Sequence, residues 1–140
     1  MILDKDVFGE IVPRPIEISL SINGDQLCFA PAFPETAETV SGAEPGEFYE
    51  GLWKGDVAEL FLSLPNGNYV EYNFAPNGAW WACEFSAPLV RTTRKISREI
   101  PSENVVGNVT AIIDGRYLTH FPLGGKQPNF HRPQDFRKLL

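Results

Sequence analysis

The chain has 140 residues, 43% hydrophobic and 21% charged, and 12 Lys and Arg stand against 18 Asp and Glu for a formal net charge of -6. That is one domain of ordinary size, spanning 1–140, with enough apolar material to build a core without disulfide staples. Its acidity repels phosphate backbones, so no nucleic-acid partner is expected. No apolar run reaches the ~18 residues of a spanning helix, so no membrane role is expected either. The opening MILDKDVFGE carries acids where a signal peptide has its basic region, which predicts a cytoplasmic protein, or a periplasmic or secreted one had a leader been removed.

Twelve glycines and twelve prolines spread along the whole length leave little room for long helices, and between them apolar residues alternate. In chain order, Ile16, Ile18, Leu20 and Ile22 share one face of a first strand. After Asn23-Gly24, Leu27 and Phe29 share another, which turns Cys28 outward. Residues 35–47 are small, polar and broken by Gly and Pro, a long surface loop. Leu60, Leu62 and Leu64 define a further strand. Short runs of period two separated by turn dipeptides read as half-buried β-strands, and many of them make a sandwich or barrel.

The centre of the chain can be read in register. A two-residue turn at Asn77-Gly78 pairs Phe74 with Trp81, Tyr72 with Cys83 and Val70 with Phe85 on an apolar face. The opposite face then receives Asn73 with Ala82, Glu71 with Glu84, and Trp80. At Asn66-Gly67 the same construction sets Leu62 against Glu71, mixing core with solvent. A longer turn or a bulge is needed there, and it brings Glu59 onto the polar face. Asp114-Gly115 pairs Ile112 with Tyr117 and Ala111 with Leu118.

The polar face carries the most chemistry. Two glutamates directly opposite repel unless solvent, a raised pKa, an Arg, a cation or a hydroxyl-rich ligand relieves them. Carboxylates and an amide beside an exposed indole suit a sugar: the polar groups take hydroxyl hydrogens and the ring covers the C–H face. LWKGDVAEL adds Trp53, Asp56 and Glu59 at the entry to a strand. There Trp53 forms either a site wall or a core corner, and Asp56 either accepts from a ligand or closes a turn.

Signatures of catalysis are missing: there is no G-x-S-x-G, H-E-x-x-H, Walker loop or G-x-G-x-x-G. Gly124-Gly125-Lys126 lacks the flanking residues of a phosphate loop. His120 and His131 are too few for a zinc site, and no metal or other cofactor is expected. Cys28 and Cys83 read as two reduced thiols. Arg91, Arg94, Lys95 and Arg98 read as a solvated extended segment rather than a helical basic stripe. Asn108-Val109-Thr110 fits the glycosylation sequon but falls inside a predicted strand.

Three segments in order, GLWKGDVAELFLS, YVEYNFAPNGAWWACEF and PNFHRPQDF, resemble the DOMON-like, family 9 carbohydrate-binding-module-like domains over most of the chain. The resemblance implies an immunoglobulin-like antiparallel β-sandwich of two sheets, with sugars bound in some relatives and haem in redox members. Its first motif implicates Trp53, Asp56 and Glu59, and its second Glu71, Asn73 and Trp80. Its closing motif holds Phe130, His131 and Phe136, with His131 either pointing into the site or locking the last strand. Haem-binding relatives use Met and His ligands, whereas Met1 is the one Met here. The expected function is a non-catalytic module binding a carbohydrate or small polar ligand on the face of Glu59, Glu71, Asn73, Trp80 and Glu84. The alternative is an interaction or scaffold domain with a protein partner or a second copy of itself.

Overall fold

The structure, a computed structural model, describes residues 1–103, 105–123 and 128–140; Gly124-Gly125-Lys126 lies outside them. Eleven strands among the described residues run in order β1 (Ile2–Lys5), β2 (Ile11–Asn23), β3 (Gln26–Ala32), β4 (Val57–Ser63), β5 (Tyr69–Phe74), β6 (Trp80–Ala87), β7 (Val90–Arg91), β8 (Ile100–Pro101), β9 (Val106–Ile113), β10 (Arg116–Thr119) and β11 (Arg137–Lys138). They form two antiparallel sheets: a small one ordered β1-β2-β3-β8, and a large one ordered β10-β9-β4-β5-β6-β7, with β11 extending the β10 edge of β9. The all-β sandwich expected from the alternation is the observed architecture.

The sheets bury a common core. Ile16 and Ile18 of β2 and Leu27 of β3 pack against Leu60 and Leu62 of β4, Val70 and Tyr72 of β5, and Val109 and Ala111 of β9. An Asp6–Leu118 bridge and the Val7 N–H donating to the Tyr117 carbonyl join the sheets at one edge. Ile22, expected to share the core face of β2, is 54% exposed, although its cross-strand partner Leu27 is buried.

The outer face of the large sheet is not solvated. A second apolar cluster, with Val57, Phe61, Tyr69, Trp81, Cys83, Phe85 and Ile112 from the strands, is roofed by Val40, Ala43 and Leu52 from one loop and Leu123 and Phe130 from another. Central strands of this sheet are thus buried on both faces, and β4 reads buried at six consecutive positions. Residues 35–47 are irregular as expected, but part of the segment is a lid over this face.

Turn chemistry sets the registers. Leu64-Pro65-Asn66-Gly67-Asn68 and Ala75-Pro76-Asn77-Gly78-Ala79 form the same three-residue loop. Each closes with an N–H to carbonyl bond between its ends, at 2.8 and 2.9 Å, and with Gly67 or Gly78 donating to Leu64 or Ala75. Both glycines have positive φ, 87 and 89°, while neither Asn does. Proline explains this: it presets φ for the first corner of a type I turn, and it lacks the N–H that a strand end must donate. At Asp114-Gly115 no proline precedes, both residues have positive φ, 55 and 73°, and the two-residue turn gives the expected pairs Ile112–Tyr117 and Ala111–Leu118.

The longer turn at Asn66-Gly67 therefore holds, but the two-residue turn at Asn77-Gly78 does not. One extra loop residue slides β6 by one. Phe74 pairs with Trp80, Tyr72 with Ala82, Glu71 with Cys83 and Val70 with Glu84. Every side chain of β6 thereby changes face relative to the expected register.

Candidate functional site

β4 and β5 carry alternating residues onto the outer face: Glu59 and Phe61 from one, Tyr69, Glu71 and Asn73 from the other, with Glu59 opposite Asn73 and Phe61 opposite Glu71. The corrected register adds Trp81, Cys83 and Phe85 from β6. Of these, Glu59, Phe61, Glu71, Asn73, Trp81 and Phe85 line a cavity of about 590 Å³ that also takes in Trp53, Glu50, Arg91, Phe130 and His131.

The polar end of the cavity is one hydrogen-bonded chain. Tyr69 Oη lies 2.7 Å from His131 Nδ1, and His131 Nε2 lies 3.2 Å from Glu71 Oε1. The Glu71 carboxyl is hydrogen-bonded to those of Glu59 and the Asn73 side chain, and Thr110 Oγ1 donates to Glu59 Oε1 at 3.0 Å. Burial holds the Tyr69 hydroxyl protonated, its pKa raised to about 12, and keeps the His131 ring neutral by lowering its pKa. The phenol therefore donates to Nδ1, which leaves the ring proton on Nε2, 3.2 Å from Glu71 Oε1. Burial raises Glu59 well above the carboxylate range, and the adjacent Glu71 charge adds to this. Burial raises Glu71 to about 7. The pair consequently loses its first proton only near pH 7 and above that keeps a second, shared and held mainly by Glu59.

One acceptor at this end is unfilled: Asn73 Oδ1 is fully buried and has no hydrogen-bond partner, in a residue 2% exposed. The aromatic end is assembled around Phe61, whose ring centroid lies 5.3 Å from His131, 6.4 Å from Tyr69 and 6.4 Å from Phe130. Trp81 presents its ring beneath the Arg91 guanidinium, 5.2 Å from its centroid, and Arg91 is paired with Glu50. Among the described residues no group of three or more His, Cys, Asp and Glu is disposed to hold a metal ion. His120 stacks on Phe121, 4.5 Å between centroids, and does not line this cavity, so the two histidines that a haem would require are not gathered in it.

Of the expected site residues, the structure brings Trp53, Glu59, Glu71, Asn73 and His131 to the cavity and leaves three elsewhere. Trp80 faces the inter-sheet core and packs edge-on against Phe48 at 4.9 Å. Glu84 follows it to that face, where Asn68 Nδ2 and Thr92 Oγ1 each donate at 3.2 Å and Arg94 Nε lies 3.0 Å away. The glutamates that meet are Glu59 and Glu71, not Glu71 and Glu84. Asp56 closes loops: Oδ2 accepts from Glu38 N–H at 2.8 Å and Oδ1 from Asp114 N–H at 2.7 Å. Asp56→Ala is expected to cost about 1–2 kcal/mol in urea denaturation and to leave the affinity of any cavity ligand unchanged.

Trp53 is no core corner. Its neighbour Leu52 fills the core at 0% exposure, while Trp53 itself is 54% exposed. Trp81, Arg91 and the Tyr69–His131 contact are missed by the sequence reading, though the repeated Pro-Asn-Gly would have identified Trp81 had both turns been read alike. Asn108 of the sequon is 1% exposed and spends its amide on Thr119, which bars modification in the folded chain. Cys28 is exposed and Cys83 buried, both unbridged.

No family model matches the sequence, and no curated protein matches it. Among solved structures, a "putative carbohydrate-binding protein" from Bacteroides uniformis ATCC 8492 matches with a TM-score of 0.73 and 14% identity, over 98% of this chain and 84% of that chain. At that identity the likeness is one of fold.

Proposed function

We propose that the protein is a carbohydrate-binding module, and that its site is the roofed cavity on the outer face of the large sheet. One observation carries this reading: buried acids and the unfilled Asn73 Oδ1 converge on a cavity walled by Trp81 and rimmed by Trp53. Hydroxyl hydrogens satisfy acceptors of that kind, and indole faces cover the apolar face of a sugar ring. A cavity of about 590 Å³ is of small-ligand size. The likeness in fold to the Bacteroides uniformis "putative carbohydrate-binding protein" supports the same class of ligand, and so does the motif resemblance to DOMON-like, family 9 carbohydrate-binding-module-like domains. Both Trp53 and His131 of those motifs lie at the cavity.

Binding rather than bond cleavage fits the carboxyls. Glycoside hydrolysis needs two separated by about 5 Å or more across the scissile bond, whereas Glu59 and Glu71 are hydrogen-bonded to each other.

Titration of a glycan panel, followed by Trp fluorescence, tests the reading. Trp53→Ala, at an exposed position, is expected to fold normally and to weaken binding by about tenfold, with Trp53→Phe between the two. An affinity untouched by Trp53→Ala, or a panel without a binder, overturns it.

A further inference from the structure

The polar end of the cavity is unusual in what it lacks. The donors beside the carboxyl pair are few: Thr110 Oγ1 donates to Glu59, the Asn73 side chain bonds Glu71, and His131 Nε2 lies 3.2 Å from Glu71 Oε1. Glu59, Glu71 and Asn73 line the cavity there, and the buried Asn73 Oδ1 is left without a donor. A hydroxyl entering this corner donates one hydrogen and brings two lone pairs that need donors of their own. An ammonium group brings three donors and no lone pair.

Charge points the same way. Two carboxyls buried to 4% and 5% exposure cannot both ionise unless a cation joins them, and the shared proton is the smallest such cation. Of the remaining titratable groups facing the pair, Arg91 is cationic and its charge lowers Glu71, but burial outweighs it. Tyr69 and His131 are held neutral, burial raises the Cys83 thiol, and Arg91 is paired with Glu50. The ring face of Phe61 carries negative potential that favours a cation.

We propose that this corner takes a ligand with a free primary ammonium group among its hydroxyls, such as an amino sugar, the ammonium bridging Glu59 and Glu71 beside Asn73 Oδ1. The inference rests on the carbohydrate reading and narrows it. It balances in charge: with Glu71 ionised the free pair holds one proton and one negative charge, and the occupied pair holds none and two, compensated by the ammonium; below about pH 7 the Glu71 proton leaves to solvent as well.

Calorimetry of the intact protein near pH 6.5 with D-glucosamine, D-glucose and N-acetyl-D-glucosamine tests it, each in two buffers of different ionisation enthalpy. Glucosamine is expected to bind at least about tenfold more tightly than the other two and to release more than one proton, since Glu71 at about 7 is largely protonated at that pH, seen as a buffer-dependent heat. Glu59→Gln removes the shared proton while conserving shape, and it is expected to abolish both the preference and the release. Glucose or N-acetylglucosamine binding as tightly as glucosamine overturns the ammonium inference and leaves the carbohydrate reading standing. Glucosamine binding without proton release also overturns it. Failure of all three sugars at millimolar concentration overturns it as well, and the wider glycan panel then decides the carbohydrate reading separately.

Discussion

Gly107→Ala is expected to leave the protein largely unfolded. Gly107 sits in β9 opposite Leu62 of β4, with β11 on its other side through Arg137. A Cβ on Gly107 would lie 1.6 Å from the Phe61 carbonyl oxygen, 2.7 Å from its carbon and 3.1 Å from Leu62 Cα. These are backbone atoms of the central strand, held by pairing on both edges, so no rotamer change relieves the collision. Overpacking of a core typically costs about 1–3 kcal/mol. A collision with fixed backbone should exceed that range, against a total stability on the order of 5–15 kcal/mol for a domain. Urea denaturation by Trp fluorescence should show the midpoint collapse. Gly115→Ala is the control, since it shares only the conformational cost of a positive φ, 73°, and meets nothing within 4 Å. That variant should lose about 1 kcal/mol. A Gly107→Ala protein within that same margin of wild type would refute the assigned β4–β9 register.

Raising the pH should destabilise the protein through the Glu59–Glu71 pair. Both groups have folded-state values above the ordinary 4.5, Glu71 at about 7 and Glu59 also well raised. Above 4.5 the folded chain therefore holds protons that the unfolded chain has lost, and stability falls as pH rises. The contribution is fully present below pH 4.5 and is lost through about pH 7 and beyond, on the order of 3 kcal/mol from Glu71 alone. His131 acts oppositely and lower: its depressed value means that acid below its ordinary 6.5 erodes stability. Comparing variants isolates the pair, because His131 is common to both. In Glu59→Gln, the amide donates to Glu71 and removes the like charge, so the decline between about pH 5 and 8 should flatten. That variant should surpass wild type at the alkaline end. Parallel stability–pH curves for the two proteins would show that the carboxyls do not share a proton.

Much of the fold was legible because it rests on local signals. Alternation in β2, β3 and β4 and the unambiguous Asp114-Gly115 turn each report a period or a φ preference that needs no distant partner. The face assignments of β4 and β5 were right for the same reason, and with them Glu59, Glu71 and Asn73. The error entered at one turn. Pro76 belongs inside the loop, as Pro65 does in its twin, and omitting it from the count moved β6 by one residue. Trp80 and Glu84 were thereby exchanged for Trp81 and Cys83.

The sequence by itself determined an all-β chain, its turn positions and which residues of two central strands share the acid-bearing face. Only the tertiary structure decided that this face is indoors. Roofing by residues from the 40–52 loop and from the closing segment around Phe130 and His131 depends on contacts between residues dozens of positions apart, which no local period encodes. Burial then converts the chemistry: glutamates expected to be solvated become a pair sharing one proton, His131 becomes a neutral donor, and Asn73 is left with an acceptor to offer.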